Sequence, residues 1–109
     1  MTDRRQRLAK NEALFRDVNE RVEEIATEHT APKVIEFLCE CVDLECLARV
    51  ELSVEAYERV RADSAQFVVT PGHELPEVED VVARQPGYVV VRKHPDTQAA
   101  VEERDSRTD

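Results

Sequence analysis

Three cysteines lie close together in the chain, and this cluster limits the possible folds more than any other feature. Cys39, Cys41 and Cys46 have the spacing C-x-C-x4-C. On a strand, residues two positions apart point to the same face, so we expect Cys39 and Cys41 to lie side by side. The next four residues form a loop that can return Cys46 to that face. Three thiolates brought together in this way are typical ligands of zinc and other soft or borderline metals.

A closed structural zinc site needs a fourth ligand, and His73 is the best candidate. It follows the Pro71–Gly72 turn, where glycine frees the backbone to aim a neighbouring side chain. Cys3His is a standard set of structural zinc ligands. His29, at the end of the first predicted helix, is an alternative, and His94 ranks lower because it follows the last predicted strand.

Other interpretations of the cysteine cluster remain open. One alternative is that the thiols are inert core residues, since free cysteine is among the most buried residue types. Another is that they form a redox switch. Nearby carboxylates are further candidate ligands, although loop acids are more often exposed: Glu40, Asp43 and Glu45. A catalytic zinc is disfavoured, because three thiolates make the ion a poor Lewis acid. The chain has no H-E-x-x-H motif, and its two glycines form no phosphate-binding loop. We therefore expect no enzyme.

Length and composition indicate one small soluble domain. The chain has 109 residues, 41% of them apolar and 5% aromatic, which predicts a small aliphatic core that zinc would supplement. No apolar run approaches the roughly 18 residues of a membrane span, and no hydrophobic segment follows the basic start. We therefore expect a cytoplasmic protein without a secretory signal. In that compartment, cysteines favour metal or thiol chemistry over disulfides.

The distribution of charge restricts the choice of partners. The net charge is −9, and residues 36–80 hold twelve acids against three bases. Only the first ten residues are basic, with Arg4, Arg5, Arg7 and Lys10 opposed by Asp3. Nucleic-acid binding requires a basic face, so a nucleic-acid-binding zinc module is a distant alternative. We expect the partner to be another protein, or a second copy bound through the N-terminal helix.

Residues 5–28 are predicted to form a long helix that ends before Pro32. Its larger apolar side chains recur at helical spacing: Leu8, Phe15, Val18, Val22 and Ile25. The favoured interpretation is that this stripe packs on the protein's own sheet. The alternatives are a two-stranded coiled coil, with Leu8, Phe15 and Val22 at a and Asn11, Val18 and Ile25 at d, and docking on a different protein.

The remaining pattern predicts an α+β fold: a long N-terminal helix beside a small antiparallel sheet, with one short inserted helix. Strands are expected at 34–41, 49–52, 67–70 and 88–93, and a short helix at 54–62 capped by Ser53. Residues 78–84 fit a helix or a strand, and the Pro86–Gly87 turn favours a hairpin with 88–93. The organisation is then a helix with a basic start at 1–33, a metal-binding module at 34–94 and a polar, disordered tail at 95–109.

Several strings resemble a group of small, uncharacterised bacterial proteins. They are Leu14-Phe15-Arg16-Asp17-Val18-Asn19-Glu20-Arg21, Phe37-Leu38-Cys39-Glu40-Cys41, Arg49-Val50-Glu51-Leu52-Ser53, Tyr57-Glu58-Arg59-Val60-Arg61-Ala62-Asp63 and Pro71-Gly72-His73-Glu74. The resemblance spans about residues 12–93 and implies a shared cysteine knuckle with the Pro-Gly-His turn at His73. This chain has Val42 at a position where the proteins of that group usually have a small residue. The resemblance supports a shared module and transfers no activity.

The sequence thus predicts a non-enzymatic, zinc-stabilised protein-interaction or regulatory module, with Cys39, Cys41, Cys46 and His73 as metal ligands. A thiol-based redox or metal sensor is the alternative.

Overall fold

A computed structural model of the chain describes residues 4–28 and 33–103, and over these residues it has a mixed α+β architecture. Three helices and five strands follow one another within the described residues: α1 Arg4–Glu28, β1 Val34–Leu38, β2 Arg49–Ser53, α2 Val54–Arg61, β3 Gln66–Val69, β4 Glu79–Gln85, β5 Tyr88–Lys93 and α3 Pro95–Glu103. The predicted fold class is therefore confirmed. The predicted end of the first helix before Pro32 lies outside the described residues.

The strands form two antiparallel sheets instead of the single sheet expected. β1 pairs with β2, from Val34 opposite Ser53 to Leu38 opposite Arg49. The second sheet has the order β3-β5-β4, with a register shift between Val81 and Ala83 that leaves a bulge in β4. The two sheets meet just after β1, where Glu40 N donates to Val68 O at 2.8 Å.

The hairpin of β4 and β5 confirms the interpretation favoured for residues 78–84. Its two-residue connection is the Pro86–Gly87 turn, and Gly87 has a φ of +87°. A side chain at that position would strain the backbone, because positive φ disfavours a Cβ. The short helix is also confirmed, since the Ser53 hydroxyl accepts from Ala56 N at 3.0 Å and caps α2.

Strands β3 and β5 are buried on both faces. One face carries Phe67, Val69, Val89 and Val91, which pack with the alanines of α1 and with two of the cysteines. The opposite face carries Val68 and Val90, which pack with β1, β2 and α2 around Tyr57. This arrangement explains the unbroken apolar run in β5, since a strand covered on both sides needs no polar alternation.

The C-terminal segment 95–103, which was predicted to be disordered, forms helix α3. The prediction was wrong because the one large aliphatic residue of the segment, Val101, is fully buried in the core beside Ala9 and Ala13 of α1. Its carbonyl also accepts a hydrogen bond from Arg16 Nη2 at 3.0 Å. Residues 104–109 lie outside the described residues.

Helix α1 turns a largely polar stripe inward, so the predicted packing of its apolar stripe is confirmed for Val22, which packs against the core around Tyr57, and is wrong for Val18 and Ile25. The buried side chains of the helix are Ala9, Glu12, Ala13, Arg16, Asn19 and Glu23. Val18 and Ile25, which were expected in the core, are 42% and 52% exposed. The coiled-coil heptad placed Asn11 against a second helix. The Asn11 side chain instead donates to Val42 O of the same chain at 2.8 Å.

The inward polar stripe is stabilised by specific partners. The Asn19 amide donates to Leu38 O at 2.9 Å and accepts from Leu38 N at 2.8 Å, which fixes the helix against β1. The Arg16 guanidinium lies 4.4 Å from the centre of the Phe67 ring, a cation–π distance. Buried polar groups are tolerated when they are bonded in this way.

Within the described residues, none of the helices combines the length and apolarity of a membrane span.

A buried charge cluster joins α1 to the hairpin. Lys93 Nζ lies 3.0 Å from Glu79 Oε1 and also contacts Glu12 Oε1, and all three side chains are at most 1% exposed. Burial raises the pKa of Glu79 to about 7 and lowers the pKa of Lys93 to about 7. The close contact between the two opposite charges compensates part of this penalty.

Replacing Lys93 with Met should destabilise the fold by about 3–5 kcal/mol, because two buried carboxylates lose their cation. With the pKa of Glu79 already raised by burial, the folded variant holds a proton more tightly than the unfolded chain. Its stability should therefore fall as the pH rises from about 5 to about 8. Urea denaturation at both pH values checks this, with Lys33→Met, at an exposed lysine, as control. Equal stability of the two variants would contradict the prediction.

Candidate metal centre

The first two cysteines lie where the chain leaves β1. The strand ends at Leu38 instead of continuing to Cys41 as predicted. Cys39 N still donates to Ala48 O at 3.1 Å, which keeps this segment beside the chain that leads into β2. Both cysteines are buried, at 1% and 2% exposure. The mutual proximity of the thiols therefore comes from an irregular segment held between the two sheets.

A tight turn returns the third cysteine to the first two. Cys46 N donates to Asp43 O at 3.0 Å, and Glu45 N donates to Asp43 Oδ1 at 2.9 Å. A side chain that accepts from a backbone N–H two residues later is an Asx turn, which aspartate commonly forms. Asp43 and Glu45 are exposed, as expected of loop acids. Asp43 therefore shapes the loop through its hydrogen bonds.

His73 reaches the cysteines from the connection between β3 and β4. His73 N donates to Thr70 O at 2.9 Å across the Pro71–Gly72 turn. Gly72 has a φ of +93°, the left-handed conformation that the third position of a type II turn requires. The histidine Nδ1 then lies 3.5 Å from the Sγ atoms of both Cys39 and Cys46.

The four side chains fit the dimensions of a tetrahedral zinc site. The ligand atoms of Cys39, Cys41, Cys46 and His73 all lie within 4.8 Å of one another. Zn–S bonds of about 2.3 Å and Zn–N bonds of about 2.0–2.1 Å at tetrahedral angles place sulfur and nitrogen about 3.6 Å apart. The two Nδ1–Sγ distances of 3.5 Å agree with that value. The three cysteines form no disulfide. The predicted ligands are thus brought together, and they can hold a metal ion.

The electrostatics of the thiols favour a bound cation. The pKa of Cys39 is lowered to about 5, chiefly by a hydrogen bond from the Cys41 thiol, against the opposing effect of burial. Thr70 N also donates to Cys39 Sγ at 3.1 Å and stabilises the thiolate. The pKa of Cys41 is raised, first by the hydrogen bond to Cys39 and then by burial. One thiol ionises easily, and the second resists ionisation unless a cation compensates its charge.

The other candidate ligands do not join the cluster. His94 lies elsewhere, with Nε2 3.3 Å from Asp80 Oδ1 and Nδ1 3.2 Å from Arg5 Nη2. His29 lies outside the described residues. Glu40 stands between two cysteines, but its carboxylate turns into the core, so it is neither a ligand nor an exposed loop residue.

Glu40 is a structurally important residue that the sequence analysis missed. Its Oε2 accepts from Asn19 Nδ2 at 2.9 Å and from the Tyr57 hydroxyl at 2.7 Å, and its Oε1 accepts from Val68 N at 3.0 Å. Burial raises the pKa of Glu40, and these hydrogen bonds oppose the rise. A glutamate in an acidic segment carries no local signal of burial, because its three partners come from distant parts of the chain.

Comparison of the chain with protein-family models, with curated proteins and with solved structures gives no match. The resemblance to small bacterial proteins therefore stays a prediction.

Replacing Glu40 with Gln should destabilise the protein by about 1–3 kcal/mol, because the amide NH2 faces a donor in either orientation: Val68 N on one side, or Asn19 Nδ2 and the Tyr57 hydroxyl on the other. Asn19 cannot compensate by turning over, since its own oxygen is used by Leu38 N. Urea denaturation of the variant checks the loss. Glu45→Gln removes the same charge from an exposed position of the same segment and should change stability by less than about 0.5 kcal/mol. Equal effects of the two substitutions would refute the role of Glu40.

Proposed function

We propose that this protein is a non-enzymatic protein-interaction or regulatory module of the bacterial cytoplasm, stabilised by one structural zinc ion. The observation that carries the proposal is the convergence of Cys39, Cys41, Cys46 and His73 within 4.8 Å. Three thiolates and one imidazole are a standard closed set for structural zinc. With four protein ligands, no coordination position is left for water or substrate, and this supports the non-enzymatic assignment.

The ion would stabilise the junction between the two sheets. Three of its ligands belong to the segment between β1 and β2, and the fourth belongs to the connection between β3 and β4. Structural zinc supplies an apparent binding energy of about 10–16 kcal/mol in small domains. This contribution would supplement an aliphatic core with only 5% aromatic residues.

One feature supports an interaction function, and a second argues against nucleic acid as the partner. The loop that carries Cys46 exposes Leu44 and Leu47, by 54% and 84%. Two bases of the N-terminal cluster have acidic partners within the chain, since Arg4 pairs with Glu77 and Arg5 with Asp96. This pairing leaves less positive charge for phosphates, which counts against a nucleic-acid partner.

Native mass spectrometry of untagged protein, purified without chelator, should show one zinc ion per chain. Removing the ion with a strong chelator should lower the melting temperature sharply, because the binding energy is also folding energy. A metal-free mass together with a cooperative thermal transition that the chelator does not change would overturn the proposal.

His73→Ala should weaken zinc binding by about two orders of magnitude or more and lower the melting temperature, because a ligand is lost. His94→Ala is the matched control, since that histidine is outside the cluster. Competition with a chromophoric chelator measures the affinity of both variants. If His73→Ala left both the zinc affinity and the melting temperature unchanged, the fourth ligand would be another group, and a catalytic zinc would have to be considered again.

A redox or metal sensor is the second candidate, favoured by the partial exposure of Cys46 beside two buried thiols. Hydrogen peroxide would oxidise two of the zinc-bound thiolates to a disulfide and, with two protons from solvent, be reduced to two waters; the loss of two ligands would release the ion. Mass spectrometry after mild peroxide treatment discriminates the candidates. Zinc release with a disulfide at Cys46 supports the sensor, and an unchanged metal-bound mass supports the structural site.

A further inference from the structure

We propose that two copies of this chain associate through the outward face of helix α1, with their helices antiparallel. The surface consists of Leu14, Val18 and Ile25 and is called the outer seam below. The inference deepens the proposed interaction function, on which it rests, by naming the partner as a second copy of the chain.

The first observation is the inverted amphipathicity of α1. The inward stripe contains Glu12, Arg16, Asn19 and Glu23, whereas Leu14, Val18 and Ile25 are 43%, 42% and 52% exposed. A surface helix of a monomer normally presents its apolar stripe to the core and its polar stripe to water. In α1 the core contacts are made by polar groups and alanines together with Val22, so the exposed Leu14, Val18 and Ile25 are left for another surface.

The second observation is the geometry of the outer seam. Its residues are separated by four and seven positions, which places them in one line along the helix. Arg21 occupies the intervening position and is exposed, with Nη1 3.6 Å from Glu24 Oε2. Its aliphatic stem can cover apolar surface while the guanidinium stays in water. Phe15, which is half-buried, lies beside this line of residues and widens the apolar face.

The third observation is the opposite charge of the two ends of α1, and it selects the occupant. Arg7 and Lys10 near the start of α1 and Glu24 near its end are exposed, whereas several other charged side chains of these two ends are buried or paired within the chain. An antiparallel second copy places the basic end of each helix beside the acidic end of the other. A parallel copy would place like charges together. The exposed charges Arg7, Lys10 and Glu24 are therefore complementary to those of the reversed copy.

The short seam predicts a weak dimer, with a dissociation constant on the order of 0.1 mM. Sedimentation equilibrium of the full, zinc-loaded chain from about 10 µM to about 1 mM tests it. The apparent mass should rise from 12.5 kDa towards twice that value. Salt should weaken the association, because it screens the attraction between the oppositely charged helix ends. Association that salt strengthens would contradict the antiparallel arrangement.

Variants of the outer seam test the surface itself. Val18→Glu should abolish the dimer, whereas Val82→Glu, at a residue of similar exposure on β4, should leave it unchanged. Ile25→Glu repeats the test at a second position, and circular dichroism of each variant verifies that it is folded. Arg7→Glu combined with Lys10→Glu should weaken self-association, and mixing with a Glu24→Lys variant should partly restore pairing. Equal dimerisation of folded Val18→Glu and of the Val82→Glu control would overturn the proposal.

Native mass spectrometry of the same samples separates this inference from the zinc proposal. A zinc-loaded chain that stays monomeric at all concentrations refutes the dimer and leaves the zinc site standing. A chain purified metal-free that dimerises through the outer seam, with a cooperative thermal transition that the chelator does not change, supports the dimer and refutes the zinc site.

Discussion

The carboxylate of Glu40 is the point on which the arrangement of the elements depends. It accepts hydrogen bonds from Asn19 of α1, from Tyr57 of α2 and from the backbone of Val68 in β3. Its two neighbours in sequence are cysteines of the candidate metal centre. The hydrogen bonds that position the helices therefore also fix the backbone from which two ligands project. Removing a buried acceptor shared by three donors costs more than removing an apolar contact, since each donor loses its compensation for desolvation.

Patterns within short segments predicted most of the secondary structure. The Pro86–Gly87 turn and the run Val89–Val91 indicated the hairpin, and Ser53 indicated the start of α2, because these signals act within a few residues. The residues of the candidate metal centre were also predictable. The spacing of Cys39, Cys41 and Cys46 indicated that they lie together, although an irregular segment and not the expected strand joins the first two, and the Pro71–Gly72 turn indicated His73. A local signal is sufficient where the physical cause is local.

The failures concern contacts between distant residues. Hydrophobic periodicity assigned Val18 and Ile25 to the core, but the space facing α1 is filled by polar groups whose partners lie far along the chain, such as Lys93 for Glu12 and Leu38 for Asn19. The helical conformation of 95–103 depends likewise on one valine packing against the small residues of α1. Composition reports how much apolar surface a segment has, and tertiary contacts decide whether that amount suffices.

The position of the candidate ligands has a consequence for the order in which the protein opens. Cys46 and His73 are separated by 27 residues, and the segment between them contains β2, α2 and β3. An ion bound at both ends would close this segment into a loop and remove about 3–4 kcal/mol of chain entropy from the unfolded state, by the relation for cross-links. These three elements would then exchange their amide hydrogens as one cooperative unit with β1 and β5, to which β2 and β3 are hydrogen-bonded, while α3, which lies outside the loop, can open without breaking it. Metal occupancy would therefore set the boundary between the part of the molecule that opens only as a whole and the part that fluctuates locally.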